Sequence, residues 1–349
     1  MSTGSGRILS VQSHVAYGYV GGKAAVFPLQ CLGYDVDVVH TVHFSNHAGY
    51  ARAGGTKTSA DELRSIFNAM QTNELMDPSR LLTGYIPNAE ALEAVKELAE
   101  RLLKQKKDLI YLLDPVMGDS GRLYVAPDVI PVYKSMLPLA TIITPNWFEV
   151  ETLTETPLNS LSALRSALDS LHTKFGVPNV VISSIPLQTW LADALPTNIK
   201  PPGNEQGQHL LCIASSRDRR RGDGRPVVHA QTVPLLPGYF SGVGDLFSAL
   251  LLGHYHPSES YHGDITPLSH AASLALSKTH LVLTRTLRHS QTLPPEEQLP
   301  TDDEMDKAEP MRKVRRMRGR ELRLVQSMDI ITAPDAGDRE LVRWEELEF

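Results

Sequence analysis

Apolar residues recur along this chain at two spacings, and the switching between them sets the fold class. Short runs rich in β-branched and aliphatic residues at 7–12, 36–42, 109–114, 141–144 and 179–184 predict strands. Between these runs the apolar positions widen to every third and fourth residue. Leu63, Ile66, Phe67 and Met70 form one such stripe behind Ser59-Ala60-Asp61-Glu62, which has the form of a capping box. A second stripe, Leu92, Val95, Leu98, Leu102 and Leu103, follows Asn88, and a third, Leu161, Leu164, Leu168 and Leu171, follows Asn159. Strands alternating with helices predict an α/β fold: a mainly parallel central sheet with helices on both faces, a three-layer sandwich. Pro28 interrupts the helical pattern of 22–32, which calls for a kink or a late helix start.

Two stretches break the rhythm. Prolines, glycines and polar residues at 197–208 predict a surface loop, and 289–309 has the composition of a flexible excursion. Strand-like segments resume after each, so residues 1–335 read as a single domain with two insertions. An acidic tail, 336–349, follows, with loose order expected from Ala333 onward.

Composition narrows the functions. With 349 residues, 42% of them hydrophobic, the chain can bury one large core or two modest ones. A formal net charge of -6 argues against a general nucleic-acid binder, and the basic runs at 217–225 and 312–323 read as solvated loops. The two cysteines, Cys31 and Cys212, each lie among apolar neighbours, so neither a disulfide framework nor a Cys/His metal site is implied. No secretory signal opens the chain and no apolar run approaches ~18 residues. A cytoplasmic protein without membrane contact is expected, and a nuclear fraction is compatible with this.

The chemistry concentrates in Pro237-Gly238-Tyr239-Phe240-Ser241-Gly242-Val243-Gly244-Asp245, a glycine-rich turn leading into an apolar helix. Such a turn gathers backbone N–H groups at a helix start, where they favour phosphate charge. Asp245 there is either a general base for a substrate hydroxyl or a carboxylate that complements the helix dipole. As a base it should stay ionised without a large upward pKa shift. In an open parallel sheet ligands gather beyond the carboxyl ends of the strands. Asp114 ends one strand, where it can hold Mg²⁺ or face phosphates, or simply close an Asp-Pro turn. Asn146 and Glu149 follow another strand and also fit a capping box, and Ser183 and Ser184 end a third. Val11-Gln12-Ser13-His14 and Phe44-Ser45-Asn46-His47 offer groups suited to a planar, polar small molecule. His14 and His47 serve as readily in packing as in chemistry, and no spacing suggests zinc.

Taken together, these strings resemble the pyridoxal kinases of the ribokinase-like superfamily from about residue 7 to residue 329. The likeness rests on Ser10-Val11-Gln12-Ser13-His14-Val15, Gly18-Tyr19-Val20-Gly21, Phe27-Pro28-Leu29-Gln30, Phe44-Ser45-Asn46-His47, Leu82-Thr83-Gly84-Tyr85, Asp114-Pro115-Val116-Met117-Gly118-Asp119, Ile143-Thr144-Pro145-Asn146 and Gly244-Asp245-Leu246-Phe247. Leu322-Arg323-Leu324-Val325-Gln326-Ser327 resembles the family's closing strand. The resemblance implies ATP-dependent phosphorylation of the 5′-hydroxymethyl group of pyridoxal, pyridoxine or pyridoxamine, in the salvage of vitamin B6.

By the same resemblance Asp245 is the base, and the amides of Gly242, Val243, Gly244 and Asp245 form the anion hole. Ser13, Val20, His47 and Tyr85 meet the vitamer. Asp114, Asn146 and Glu149 organise phosphates and Mg²⁺; Asp119, Thr144 and Ser183 belong to the region of a monovalent cation, K⁺ or Na⁺, and of the nucleotide. Ser184 and Val243 also face the nucleotide, and Leu236, Pro237 and Gly238 touch adenosine. The 217–225 run fits a lid over ATP or a solvated loop, and a homodimer is implied. Val243, Ala48 and Ala53 depart from the Thr, Thr and Trp of many or some members, and Ser183 replaces a Thr while keeping its hydroxyl. Two other readings share these residues: a ribokinase-like kinase for a sugar or hydroxymethylpyrimidine, and a non-catalytic vitamer-binding protein. A Rossmann dehydrogenase does not, because no Gly-x-Gly-x-x-Gly follows the first strand.

Overall fold

Among the described residues ten strands join in one sheet, and side chains alternate between its two faces to build two separate cores. The computed structural model describes residues 6–119, 121–201, 208–217, 225–259, 261–335, 337 and 339–349. In chain order the first half runs β1 (Arg7–Val15), α1 (Gly22–Cys31), β2 (Asp35–Phe44), β3 (Gly55–Lys57), α2 (Ala60–Thr72), β4 (Arg80–Thr83), α3 (Ala89–Gln105) and β5 (Ile110–Leu113). A small hairpin, β6 (Gly118–Asp119) and β7 (Arg122–Leu123), precedes α4 (Val129–Met136), β8 (Ile142–Ile143), α5 (Trp147–Thr154), α6 (Leu161–Thr173) and β9 (Asn179–Pro186). The rest comprises α7 (Thr189–Ala194), β10 (His209–Ser216), β11 (Val227–Pro234), α8 (Val243–His254), α9 (Pro267–Ser290), α10 (Asp303–Ala308), α11 (Pro310–Arg318), α12 (Met328–Thr332) and β12 (Val342–Arg343).

The sheet order is β12-β11-β10-β9-β8-β5-β4-β1-β2-β3. The six strands from β9 to β2 are parallel, and antiparallel strands extend both edges. Leu9, Val11, Leu81, Leu113 and Ile143 face a core shared with α2 to α6, while Ile8, Leu82, Leu112 and Ile142 face one shared with α1, α8 and α9. The expected three-layer α/β sandwich with a mainly parallel sheet is therefore present.

Local signals worked where a side chain satisfies the backbone. Ser59 and Glu62 form both arms of the capping box on α2, and the Asn88 side chain accepts from the Ala91 N–H on α3. On α6 the cap is Ser160 rather than the preceding Asn159. Helix α1 begins at Gly22 and carries Pro28 inside it, so it does not start late.

Several expectations are overturned. The 289–309 stretch is only partly irregular: α9 continues to Ser290 and 303–308 form α10, with turns and a short 3₁₀ segment between them. Much of the 312–323 run is helix α11 rather than solvated loop, and Arg316 is buried against Asp306. Residues 322–327 form no strand. The Arg323 N–H instead donates to Thr286 of α9, and a 3₁₀ turn follows. Ser183 and Ser184 lie within β9, which continues to Pro186 instead of ending at them. The acidic tail returns to the sheet edge, where β12 pairs with β11 and both Trp344 and Leu347 are fully buried. Its acidic count hid an apolar series, Leu341, Val342, Trp344 and Leu347. Most of the 217–225 run, and 202–207 of the 197–208 loop, lie outside the described residues.

Candidate active site

Parallel pairing of β1, β2, β4, β5 and β8 brings their carboxyl ends to one edge of the sheet, and the chain puts its polar strings there. Helix α8 aims its N-terminus at the same place. Gly242 caps α8 at φ 78°, and a Cβ there would lie 2.0 Å from the Tyr19 carbonyl oxygen, so only glycine fits. A Cβ at Gly244 would meet nothing within 4 Å, which leaves open space in front of the first turn.

Asp245, third residue of that turn, is partly buried, and its Oδ2 accepts the Gly21 N–H at 2.8 Å. Burial pushes its pKa upward, and the Gly21 amide and His47 offset part of this. The direction is upward because desolvation opposes the helix-start effect. A carboxylate of raised proton affinity is the better base for an alcohol.

A second acidic group lies across the edge. Asp114 is buried at the end of β5 and accepts from the Ser248 hydroxyl at 3.0 Å, and Thr144 Oγ1 lies 2.9 Å from the same Ser248 Oγ. Burial, then the charges of Glu149 and Asp245, raise Asp114 well above the usual carboxylate range. Glu149, 3% exposed, is pushed up to about 7 by burial, against hydrogen bonds from the Met117, Asn146 and Gly118 amides. Asp119 adds repulsion. Asn146 and Glu149 do form a capping box on α5, and they also do more: Glu149 Oε1 holds the Met117 N–H at 2.9 Å, and the Asn146 amide donates to the Gly118 carbonyl at 2.8 Å. The cap thereby fixes the loop after Asp114. Ser183 lies close by through its N–H, which donates to Pro145, and Ser184 is its neighbour on β9.

Among the described residues no Lys or Arg pairs with Asp114 or Glu149, and no three His, Cys, Asp or Glu converge tightly enough to hold a metal alone. Two buried carboxylates with hydroxyls and no counter-charge nevertheless match the hard oxygen donors that Mg²⁺ shares with water and phosphate.

Around the other end of the Gly18-to-Gly22 loop stand Ser13 and His47, both buried, and Val20 and Tyr85, both partly buried. The Thr41 hydroxyl fixes the Tyr85 carbonyl at 2.7 Å. His47 has both ring nitrogens engaged: Nδ1 accepts the Gly49 N–H at 3.1 Å, which leaves the proton on Nε2, 3.1 Å from Glu321 Oε1. His47 thus contributes its ring to the wall rather than a free nitrogen. His14 stacks on His40 with centroids 4.4 Å apart, in a histidine group on the sheet. Leu236, Pro237 and Gly238 follow β11, and Gly238 at φ +100° rests against the Arg320 guanidinium. A cavity of about 300 Å³ lined by Tyr17, Lys23, Arg318 and Glu321 lies beside the loop, without Asp245 in its wall. Glu321 escaped the sequence reading. Neither spacing nor motif joins residue 321 to residues 19, 47 and 50.

Comparison with known proteins adds what geometry alone does not carry. A family model described as phosphomethylpyrimidine kinase matches residues 31–198. The chain is 38% identical over 284 residues to pyridoxal kinase of Arabidopsis thaliana, spanning 81% of this chain and 83% of that protein. It is 37% identical over 291 residues to the human pyridoxal kinase, spanning 81% and 86% respectively. Among solved structures, pyridoxal kinase from Leishmania donovani in complex with ADP and pyridoxamine superposes with TM-score 0.76 at 29% identity, covering 97% of this chain and 99% of that one. The complex of the same enzyme with ADP and pyridoxine gives 0.75 at 28% identity, covering 97% and 98%.

Proposed function

The chain belongs to the pyridoxal kinase family of the ribokinase-like superfamily, and from that premise we propose how its own residues perform the reaction. The reaction is transfer of the γ-phosphoryl group of ATP to the 5′-hydroxymethyl oxygen of pyridoxal, pyridoxine or pyridoxamine. Ser13, Val20, His47 and Tyr85 seat the pyridine ring. Asp245 takes the hydroxyl proton as the new O–P bond forms. The backbone N–H groups of Gly242, Val243, Gly244 and Asp245 and the dipole of α8 face the charge that spreads over the transferring group, and the open space at Gly244 admits it.

The observation that carries this reading is the Gly21 N–H to Asp245 bond, which sets the proposed base against the loop bearing the proposed vitamer contacts. On the nucleotide side Asn146, Ser183, Ser184, Val243 and the 236–238 stretch hold ATP. Asp114 and Glu149 are suited to a divalent cation with waters and phosphates, which when bound supplies neutralising charge. Asp119 and Thr144 are assigned to a monovalent cation on the resemblance above. Assembly as a homodimer, which gel filtration with light scattering tests, belongs to the same reading.

The phosphomethylpyrimidine kinase match over 31–198 keeps a hydroxymethylpyrimidine substrate as the second reading. Purified protein given ATP, Mg²⁺ and each vitamer, hydroxymethylpyrimidine or a sugar in turn should form product from the vitamers. Product from the pyrimidine or sugar alone would replace the first reading, and vitamer binding without turnover would make the protein non-catalytic.

A further inference from the structure

We propose that Glu321, far from every residue assigned above in sequence, is the positioning residue that fixes the vitamer-binding wall. The inference rests on the reading that the loops after β1 and β2 face the vitamer. Three donors from those two loops converge on this one carboxylate. The Tyr19 N–H reaches Oε2 at 2.8 Å, while the Tyr50 hydroxyl at 2.7 Å and His47 Nε2 at 3.1 Å reach Oε1. The Glu321 side chain is 12% exposed, so these bonds are made with little water to replace them.

The fit extends to the backbone. Gly18 sits at φ +93°, and a Cβ there would stand 2.4 Å from Glu321 Oε1, so the carboxylate lies directly on the loop. The same loop is gripped again on its other side, by Asp245 at the Gly21 N–H and by Gly242 against the Tyr19 carbonyl. Glu321 therefore holds Tyr19 toward the phosphoryl-transfer turn and, through Nε2, holds the His47 tautomer and ring plane. Burial alone would raise the Glu321 pKa, but the bonds from His47, Tyr50 and Tyr19 outweigh it and lower it, so the acceptor-only form is kept. Every contact lies on the vitamer side. The nucleotide residues sit after β5, at the start of α5 and α8, on β9 and in the 236–238 stretch after β11, and none of these bonds from Glu321 reaches them. Its removal should therefore divide the two substrates.

The test compares Glu321→Gln and Tyr50→Phe with wild type, reading pyridoxal Kd by titration and both KM values and kcat by product formation. A glutamine turns an N–H₂ toward converging donors, so pyridoxal Kd and KM should rise about 10-fold or more, while ATP KM and kcat stay within about 3-fold. Tyr50→Phe, which removes one donor and keeps the ring, should raise pyridoxal Kd about 2- to 5-fold. Unchanged pyridoxal affinity in Glu321→Gln, or an equal loss for both substrates, overturns the inference. Should Glu321→Gln not fold, unchanged Kd in Tyr50→Phe overturns it instead. Wild type that fails to bind pyridoxal sinks the functional reading as well; wild type that turns pyridoxal over while Glu321→Gln keeps its Kd sinks this inference alone.

Discussion

Burial raises the proton affinity of Asp114, Glu149 and Asp245 alike, but each carboxylate is left with different partners. Glu149 holds its proton up to about 7 in the fold, against an ordinary value of 4.5. Because the folded pKa is the higher one, its contribution to stability is full below about pH 4.5 and is lost as pH rises toward 7. Glu149→Gln also loses part of the cap, so the informative quantity is how the stability difference from wild type changes with pH. That difference should move in favour of the variant between about pH 4 and pH 8 in thermal melts without metal; parallel profiles would contradict it. Mg²⁺ should raise the wild-type melting temperature more at about pH 8 than at about pH 5, since protonated carboxyls are poor ligands. At Val243, where the resemblance expects Thr, restoring the hydroxyl offers the nucleotide one more hydrogen bond. Val243→Thr should lower the ATP KM about 2- to 10-fold, and an unchanged KM would remove that position from the nucleotide site.

Elements were legible where periodicity and capping agreed. The stripe behind Ser59 and the stripe behind Asn88 became α2 and α3, because the same residues that bury a face also satisfy the first N–H groups. The strings at the ends of β1, β2, β5 and β8 could be placed at one sheet edge because parallel pairing leaves them nowhere else. Legibility failed where a segment's neighbour is distant. Charge counts made 312–323 and the tail look solvated, yet Asp306 receives Arg316, and Val228 of β11 receives the Trp344 N–H at 2.8 Å. Strands β10 and β11 went unassigned, since a run such as His209–Ser216 shows no alternation when both faces are buried. The tail carries a direct consequence. Trp344→Ala should cost about 3–5 kcal/mol in denaturant unfolding, as for a buried core aromatic. A change within about 0.5 kcal/mol would mean that the tail is as loose as its composition implied.

At the scale of the whole molecule, the sheet separates two helical layers, and the site forms where both meet its carboxyl edge. The layer of α8 supplies Asp245 and the glycine turn proposed to face phosphate, the opposite layer supplies Glu149 through α5, and the strand ends between them carry Ser13, Asp114 and Thr144. In the sequence Asp245, Asp114 and Glu149 each carry two readings, because a carboxylate at a helix start or strand end looks alike whether it caps, closes a turn or takes part in chemistry. In the fold the carboxylates keep different company: Asp245 faces the Gly21 amide, whereas Glu149 closes a cap and reaches Met117. The proposed function rests on the proton assigned to Asp245. Asp245→Asn keeps size and lets pyridoxal bind, so steady-state turnover with ATP and pyridoxal, beside a pyridoxal binding titration, isolates the chemical step. The expected result is a kcat about 10²- to 10⁴-fold lower with pyridoxal Kd changed no more than a few-fold; turnover within a few-fold of wild type would contradict the account.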